Sequence, residues 1–183
     1  MSEEQLHALV ATLIAEIGDN PSREGLKDTP KRVVRSWQEL YAGYWEKPEE
    51  LLTVFDCGTY DQIVLLKDIE MYSMCEHHML PFYGKAHVAY IPDKKVIGIS
   101  KLARLLEIYS RRLQIQERIG EEVTGALMDY LQPKGAACII EARHLCMCAR
   151  GVGKQNSIMV TSSMKGAFLS DASAKQELMT LIK

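Results

Sequence analysis

No apolar run in this 183-residue sequence approaches the ~20 residues of a membrane span, so no membrane-crossing helix and no membrane partner are expected. Neither charge is in excess. The 22 Lys and Arg against 24 Asp and Glu leave a formal net charge of −2, which argues against nonspecific nucleic-acid binding. The first residues, Met1-Ser2-Glu3-Glu4, are acidic and lack the basic-then-apolar form of a secretory leader. Cysteine is scarce and odd in number. Cys57, Cys75, Cys138, Cys146 and Cys148 suit reduced thiols or metal ligands better than a disulfide framework, and point to the cytoplasm. Repeats, low-complexity segments and flexible linkers are missing as well. What remains, 47% hydrophobic and 25% charged residues, is ordinary for a soluble globular protein.

One stretch stands out: Ser73-Met74-Cys75-Glu76-His77-His78-Met79-Leu80-Pro81-Phe82-Tyr83-Gly84. Cys75 and His78 stand at i and i+3, so a tight turn can aim a thiolate and an imidazole at one point, which suits zinc. Pro81 and Gly84 favour a bend just after it. A second cluster follows far downstream, His144-Leu145-Cys146-Met147-Cys148. If that run is a strand, His144, Cys146 and Cys148 share one face. Two sites are then open. Cys75, His78, Cys146 and Cys148 would close a structural four-ligand shell. Cys75, His78 and one downstream Cys would leave a place for water and free His77 and His144 for acid–base work. The plainer alternative keeps the cysteines as small buried hydrophobes and the histidines as satisfied core residues.

The rest of the chain reads as segregated runs. Leu6, Leu9, Val10, Leu13 and Ile14 recur at helical spacing over residues 4–17, and Asp19-Asn20-Pro21 breaks the pattern. Thr29 as N-cap and Pro30 at the first helical position start a second helix that stops near Gly43. It carries Arg32 and Arg35 on one face near its N-terminus, where an anion is favoured; taken alone, a solvated basic face is the simpler reading. Residues 45–60 read as loop-rich. Strands are expected at Gln62–Leu66, Met71–Cys75, Phe82–Ile91, Ala136–Leu145 and Ser157–Ser163. Ser100 is a candidate N-cap for a helix over 101–112, with Lys101 and Arg104 in its first turn, where cations oppose the helix dipole unless a polyanion binds. Helices are expected over 116–131, ending at Pro133-Lys134-Gly135, and over Asp171–Ile182. Runs segregated in this way imply an α+β fold, with an N-terminal helical region at 1–45 and a larger domain at 46–183.

With both clusters in view, the chain resembles the GTP cyclohydrolase I family, zinc enzymes that open pterin biosynthesis. The likeness runs from about Asp28 to the C-terminus. It rests on Asp28-Thr29-Pro30-x-Arg32-Val33, Cys75-Glu76-His77-His78, Pro81-Phe82-x-Gly84, Gly98-Ile99-Ser100-Lys101, Gln114-Ile115-Gln116-Glu117-Arg118, and His144-Leu145-Cys146 with Ala149-Arg150-Gly151. The resemblance implies Cys75, His78 and Cys146 as Zn2+ ligands, with Cys148 a bystander. His77 and His144 match the family's acid–base histidines, and Ser100 is implied to assist proton movement at the ribose. Ser100, Lys101, Arg104 and Arg150 match residues around the triphosphate, with Arg32 and Arg35 reaching in from the same or a neighbouring subunit. Gln116 and Glu117 match residues that read the guanine edge. The implied fold is the tunnelling fold, an antiparallel sheet with helices on one side, built into two stacked pentameric rings with active sites at subunit interfaces.

The implied reaction takes GTP and water to formate and 7,8-dihydroneopterin triphosphate. An imidazole suits its proton transfers because its pKa lies near the operating pH. Bidentate arginines suit the triphosphate. A carboxylate at Glu117 selects guanine, because adenine lacks the paired N–H donors. Two rivals remain. One is another tunnelling-fold enzyme such as the nitrile reductase of queuosine synthesis, which uses a nicotinamide and a cysteine nucleophile and lacks this zinc set. The other is a non-enzymatic zinc-stabilised module with Cys148 as fourth ligand.

Overall fold

The computed structural model describes every residue but Leu52 and Cys57, so the Cys57 of the cysteine inventory lies outside the described residues. The chain divides into two compact units, Met1–Ala42 and Gly43–Lys183.

The first unit is a pair of helices. Helix α1 (Glu3–Glu16) starts at a capping box in which the Ser2 hydroxyl and the Gln5 side chain satisfy each other's backbone N–H groups. Helix α2 (Thr29–Leu40) begins one residue earlier than the sequence suggests. Asp28 holds the N-cap place, so Thr29 and Pro30 are the first two helical residues. The missing N–H of proline is harmless there, because first-turn donors have no partner inside the helix. Asp28 does not cap; its carboxylate pairs with Arg32 at 3.4 Å. Val10, Ile14 and Val34 form the small core, with Leu6, Leu26, Val33 and Trp37 packed around them.

The second unit opens with a 3-10 turn (Ala42–Tyr44) and a short helix α3 (Pro48–Leu51), then strand β1 (Val54–Asp56). Strands β2 (Val64–Cys75), β3 (Pro81–Ile91) and β4 (Lys95–Ile97) follow, then helix α4 (Ile99–Ser110). A two-residue strand β5 (Leu113–Gln114) leads into α5 (Gln116–Ala126), which continues as a π turn over Leu127–Leu131. Strand β6 (Gly135–His144), a single turn α6 (Leu145–Cys148), strand β7 (Met159–Gly166), a short α7 (Ala167–Ser170) and α8 (Ala172–Ile182) complete the unit.

The main sheet has the order β5-β2-β3-β6-β7. Its four long strands are antiparallel, and only the short β5 lies parallel, against the end of β2. Strands β1 and β4 form a separate antiparallel pair. Alternation along β3 and β6 sets the layers. Phe82, Ala86, Val88 and Tyr90, with Ala136, Cys138, Ile140 and Ala142, face Leu102, Leu105, Leu106, Ile119, Val123 and Leu127 of the α4–α5 layer. The α+β class and the α4–α5 layer on this face agree with the sequence reading. On the other face Ala89, Ile91, Ala137 and Ile139 pack against Phe168 and Leu178, so α7 and α8 cover part of it.

Three boundaries differ from expectation. The two short strands expected at Gln62–Leu66 and Met71–Cys75 are one strand, β2, interrupted by a bulge between Leu66 and Ile69. Asp68 takes the left-handed conformation there (φ 57°), and its N–H donates to Nδ1 of the buried His87 at 3.2 Å. Ser100 is the second residue of α4 and Gly98 its N-cap. The loop expected over 45–60 contains α3 and β1.

Candidate metal centre and nucleotide site

The Cys75 turn is closed by its own backbone. Cys75 N–H donates to the Leu80 carbonyl at 2.9 Å, and Met79 N–H donates to the Cys75 carbonyl at 2.8 Å. Met79 takes φ 52°, which returns the chain to β3 at Pro81, opposite Met74. Cys75 Sγ and His78 Nδ1 thereby lie 3.7 Å apart. His77 Nδ1 is 4.0 Å from the same sulfur, and its Nε2 faces Glu76 at 3.8 Å.

The third member arrives from β6. Phe82 pairs with His144 across β3 and β6, and the strand ends there. One helical turn follows, so His144, Cys146 and Cys148 do not share a strand face, as the conditional reading would have it. Cys146 comes to the Cys75 turn; ligand atoms of Cys75, His78 and Cys146 all lie within 4.8 Å of one another. Cys148 goes elsewhere: its Sγ lies 3.3 Å from the Lys154 carbonyl and 3.9 Å from that of Gln155.

The chemistry of this donor set fits a cation such as zinc. Cys75 is buried, Cys146 half-buried and His78 exposed, so the group has a protein side and an open side. Burial, and then the neighbouring Cys75 sulfur, push the Cys146 thiol above its ordinary range. Two thiolates side by side repel unless a positive ion lies between them, and a dication does that while accepting the imidazole lone pair.

His144 stands beside this group. Its ring stacks on Phe82 at 4.5 Å between centroids and 5° between planes. Its Nε2 lies 2.9 Å from Gln116 Oε1. Burial pulls its pKa below the ordinary value, with the Glu117 charge opposing. A cleft of about 340 Å3 opens here, walled by His144, Cys146, Met147, Ile158 and Met159.

Helix α5 is tied to the Cys75 turn by a residue that sequence reasoning left without a role. Arg118 donates to both oxygens of Glu76, at 2.6 and 3.1 Å, and to Gln114 Oε1 at 3.2 Å. Arg118 also holds the Glu76 carboxyl below its usual range. No local pattern flags a pair separated by 42 residues. Glu117 is exposed in the first turn of α5, whereas Gln116 is completely buried. The Gln116 amide is spent on Ile140, Met159, Thr161 and His144. The Gln116 side chain is thus engaged within the chain at both its nitrogen and its oxygen.

The candidate phosphate ligands lie on several elements. Arg150 Nη1 lies 3.2 Å from His78 Nε2, at the rim of the metal group. Ser100 and Arg104 are exposed and Lys101 half-buried in the first turns of α4. Among the described residues, no hydrogen bond or ion pair joins these three to Cys75, His78 or Cys146. Arg32 and Arg35 are exposed on α2, in the first unit.

Comparison with known proteins gives the same direction throughout. GTP cyclohydrolase 1 of Wolinella succinogenes is 58% identical over 168 residues, covering 91% of this chain and 90% of that protein. Its counterpart in Chlorobium chlorochromatii is 52% identical over 181 residues, covering 98% and 81%. That of Bartonella quintana is 47% identical over 182 residues, covering 98% and 88%. Among solved structures, the archaeosine synthase QueF-Like in its apo form matches with a TM-score of 0.45 and 16% identity, over 57% of this chain and 94% of that one, and a likeness of that level carries nothing across. The family model for GTP cyclohydrolase I matches residues 6–183, and with these relatives it shows that the chain belongs to the GTP cyclohydrolase I family.

Proposed function

We propose that this chain converts GTP and water to formate and 7,8-dihydroneopterin triphosphate, the reaction that opens pterin and folate biosynthesis. The observation that carries the reading is the convergence of Cys75, His78 and Cys146, with Cys148 turned away and His144 beside them. Three donors leave a coordination place free, as a hydrolytic site needs and a structural one does not. This arrangement also disfavours the non-enzymatic module, which requires Cys148 as fourth ligand.

Cys75, His78 and Cys146 would hold a zinc ion, which would supply Lewis acidity and lower the pKa of water to about 7. The remaining work belongs to side chains. The Glu117 carboxylate accepts from guanine N1–H and the 2-amino group, which fixes the purine and excludes adenine. His144 moves protons at C8 and the adjoining ring nitrogen. Burial lowers its pKa, which favours the neutral imidazole that can accept one. His77, exposed on the Cys75 turn, serves ring opening and the later ribose rearrangement, with Ser100 assisting at the ribose. Lys101, Arg104 and Arg150 neutralise the triphosphate, joined by Arg32 and Arg35 of the same or a neighbouring copy.

The reading includes a cytoplasmic homo-oligomer of two stacked pentamers with sites between copies. Two features support it. Strand β7 pairs with β6 on one side only, and Val160 on it is 61% exposed, so the sheet has an edge that another copy can extend. Ser100, Lys101 and Arg104 make no hydrogen bond or ion pair to the metal ligands among the described residues, and a second copy would bring a further set to the site. No helix among the described residues is long and apolar enough to cross a membrane.

The test is incubation of zinc-loaded protein with GTP, with and without a chelator. Formate release, and a pterin that fluoresces after oxidation, are expected only without chelator. A fully zinc-loaded protein that leaves GTP unchanged would overturn the reading.

A further inference from the structure

We infer that Gln116 is a positioning residue: its buried amide holds His144 as the Nε2–H tautomer and leaves the Nδ1 lone pair for the cleft. The inference rests on the reading of His144 as the proton-carrying group and deepens it.

The amide can sit only one way round. Gln116 Nε2 lies 2.9 Å from the Ile140 carbonyl and 3.1 Å from the Met159 carbonyl. Carbonyls only accept, so these two positions demand N–H groups. A flipped amide would set its oxygen against two carbonyl oxygens in a fully buried place, where like partial charges repel. Thr161 Oγ1, at 3.0 Å from the same nitrogen, fits either orientation, because a hydroxyl both donates and accepts. Oε1 is therefore the atom that faces His144 at 2.9 Å, and an amide oxygen can only accept. His144 Nε2 must carry the proton.

The ring is held on its other coordinates too. Stacking on Phe82 at 4.5 Å and 5° fixes the imidazole plane, and pairing of His144 with Phe82 fixes the backbone beneath it. With plane and Nε2 both fixed, Nδ1 is the ring nitrogen with no hydrogen-bond partner among the described residues. His144 then first takes a proton from the attacking water and afterwards delivers that same proton to the purine ring nitrogen. Protons balance, and no outside acid or base is needed. The anchors come from β6 and β7, so Gln116 also couples the register of those strands to the aim of the histidine.

The test uses protein labelled with 15N at histidine, zinc-loaded and sedimented for solid-state NMR. Its five histidines are sorted by comparison with His144→Asn. The wild type should show His144 as the neutral Nε2–H form. Gln116→Met, similar in length and apolar, should mix the tautomers and lower kcat about 100-fold while KM for GTP moves less than about 3-fold. Gln116→Glu places an oxygen against the Ile140 and Met159 carbonyls, so it should not restore kcat although it offers His144 an acceptor. An Nδ1–H signal in the wild type overturns the inference, as does a Gln116→Met protein whose KM rises with kcat unchanged. Neither result touches the proposed reaction, which fails separately if zinc-loaded wild type does not release formate from GTP.

Discussion

Cys146 and Cys148 are two positions apart, and their sulfurs have different surroundings. Because β6 ends at His144 and one helical turn follows, the second thiol is carried to the carbonyls of Lys154 and Gln155. Cys148→Ser should thus keep about one zinc per chain and near-normal turnover, whereas Cys146→Ser should lose both together; metal analysis of the two proteins decides. The ligand pair Cys75 and His78 is legible in sequence, because residues i and i+3 meet in almost any tight turn. The role of Gln116 is not legible. Its partners are carbonyls of Ile140 and Met159, which come together only through the register of β6 on β7. Read locally, Gln116 is one more polar residue at a helix start. Arg118 is hidden for the same reason, since its partner Glu76 is distant in sequence and near only in space.

At the scale of elements, alternation and spacing place the long strands and helices well. They fail where one residue changes direction. Asp68 bulges β2 without ending it, so two expected strands are one. The apparent continuation of β6 through Cys148 is a helical turn, a change that single-residue alternation cannot register. Capping shifts by one residue at Thr29 and by two at Ser100, because Asp28 and Gly98 take the cap places. Close approach of β3 to β6 at Gly84 is a further element-level constraint. A Cβ there would run into the Glu141 carbonyl oxygen and meet Ala142 Cα at 2.7 Å, both backbone atoms. Gly84 pairs with Ala142, two positions from the Phe82–His144 pair. Gly84→Ala should destabilise the fold by about 3 kcal/mol or more, read as an earlier urea midpoint, with loss of metal when the strands separate. An unchanged midpoint would mean that the two strands part more easily than their packing implies.

For the whole molecule, the segregated order of helices and strands conveys the α+β class, and ligand spacing conveys the metal group. The cover that α7 and α8 give to part of the second sheet face is not visible in periodicity, because α8 shows only a weak amphipathic pattern around its one buried residue, Leu178. The account as a whole turns on how many sulfurs bind the metal. X-ray absorption at the zinc edge of the loaded, nucleotide-free protein measures this directly. The predicted shell holds two sulfurs at about 2.3 Å, one imidazole nitrogen and one light atom from solvent. A shell with three sulfurs and no solvent atom would make the site structural and contradict the account.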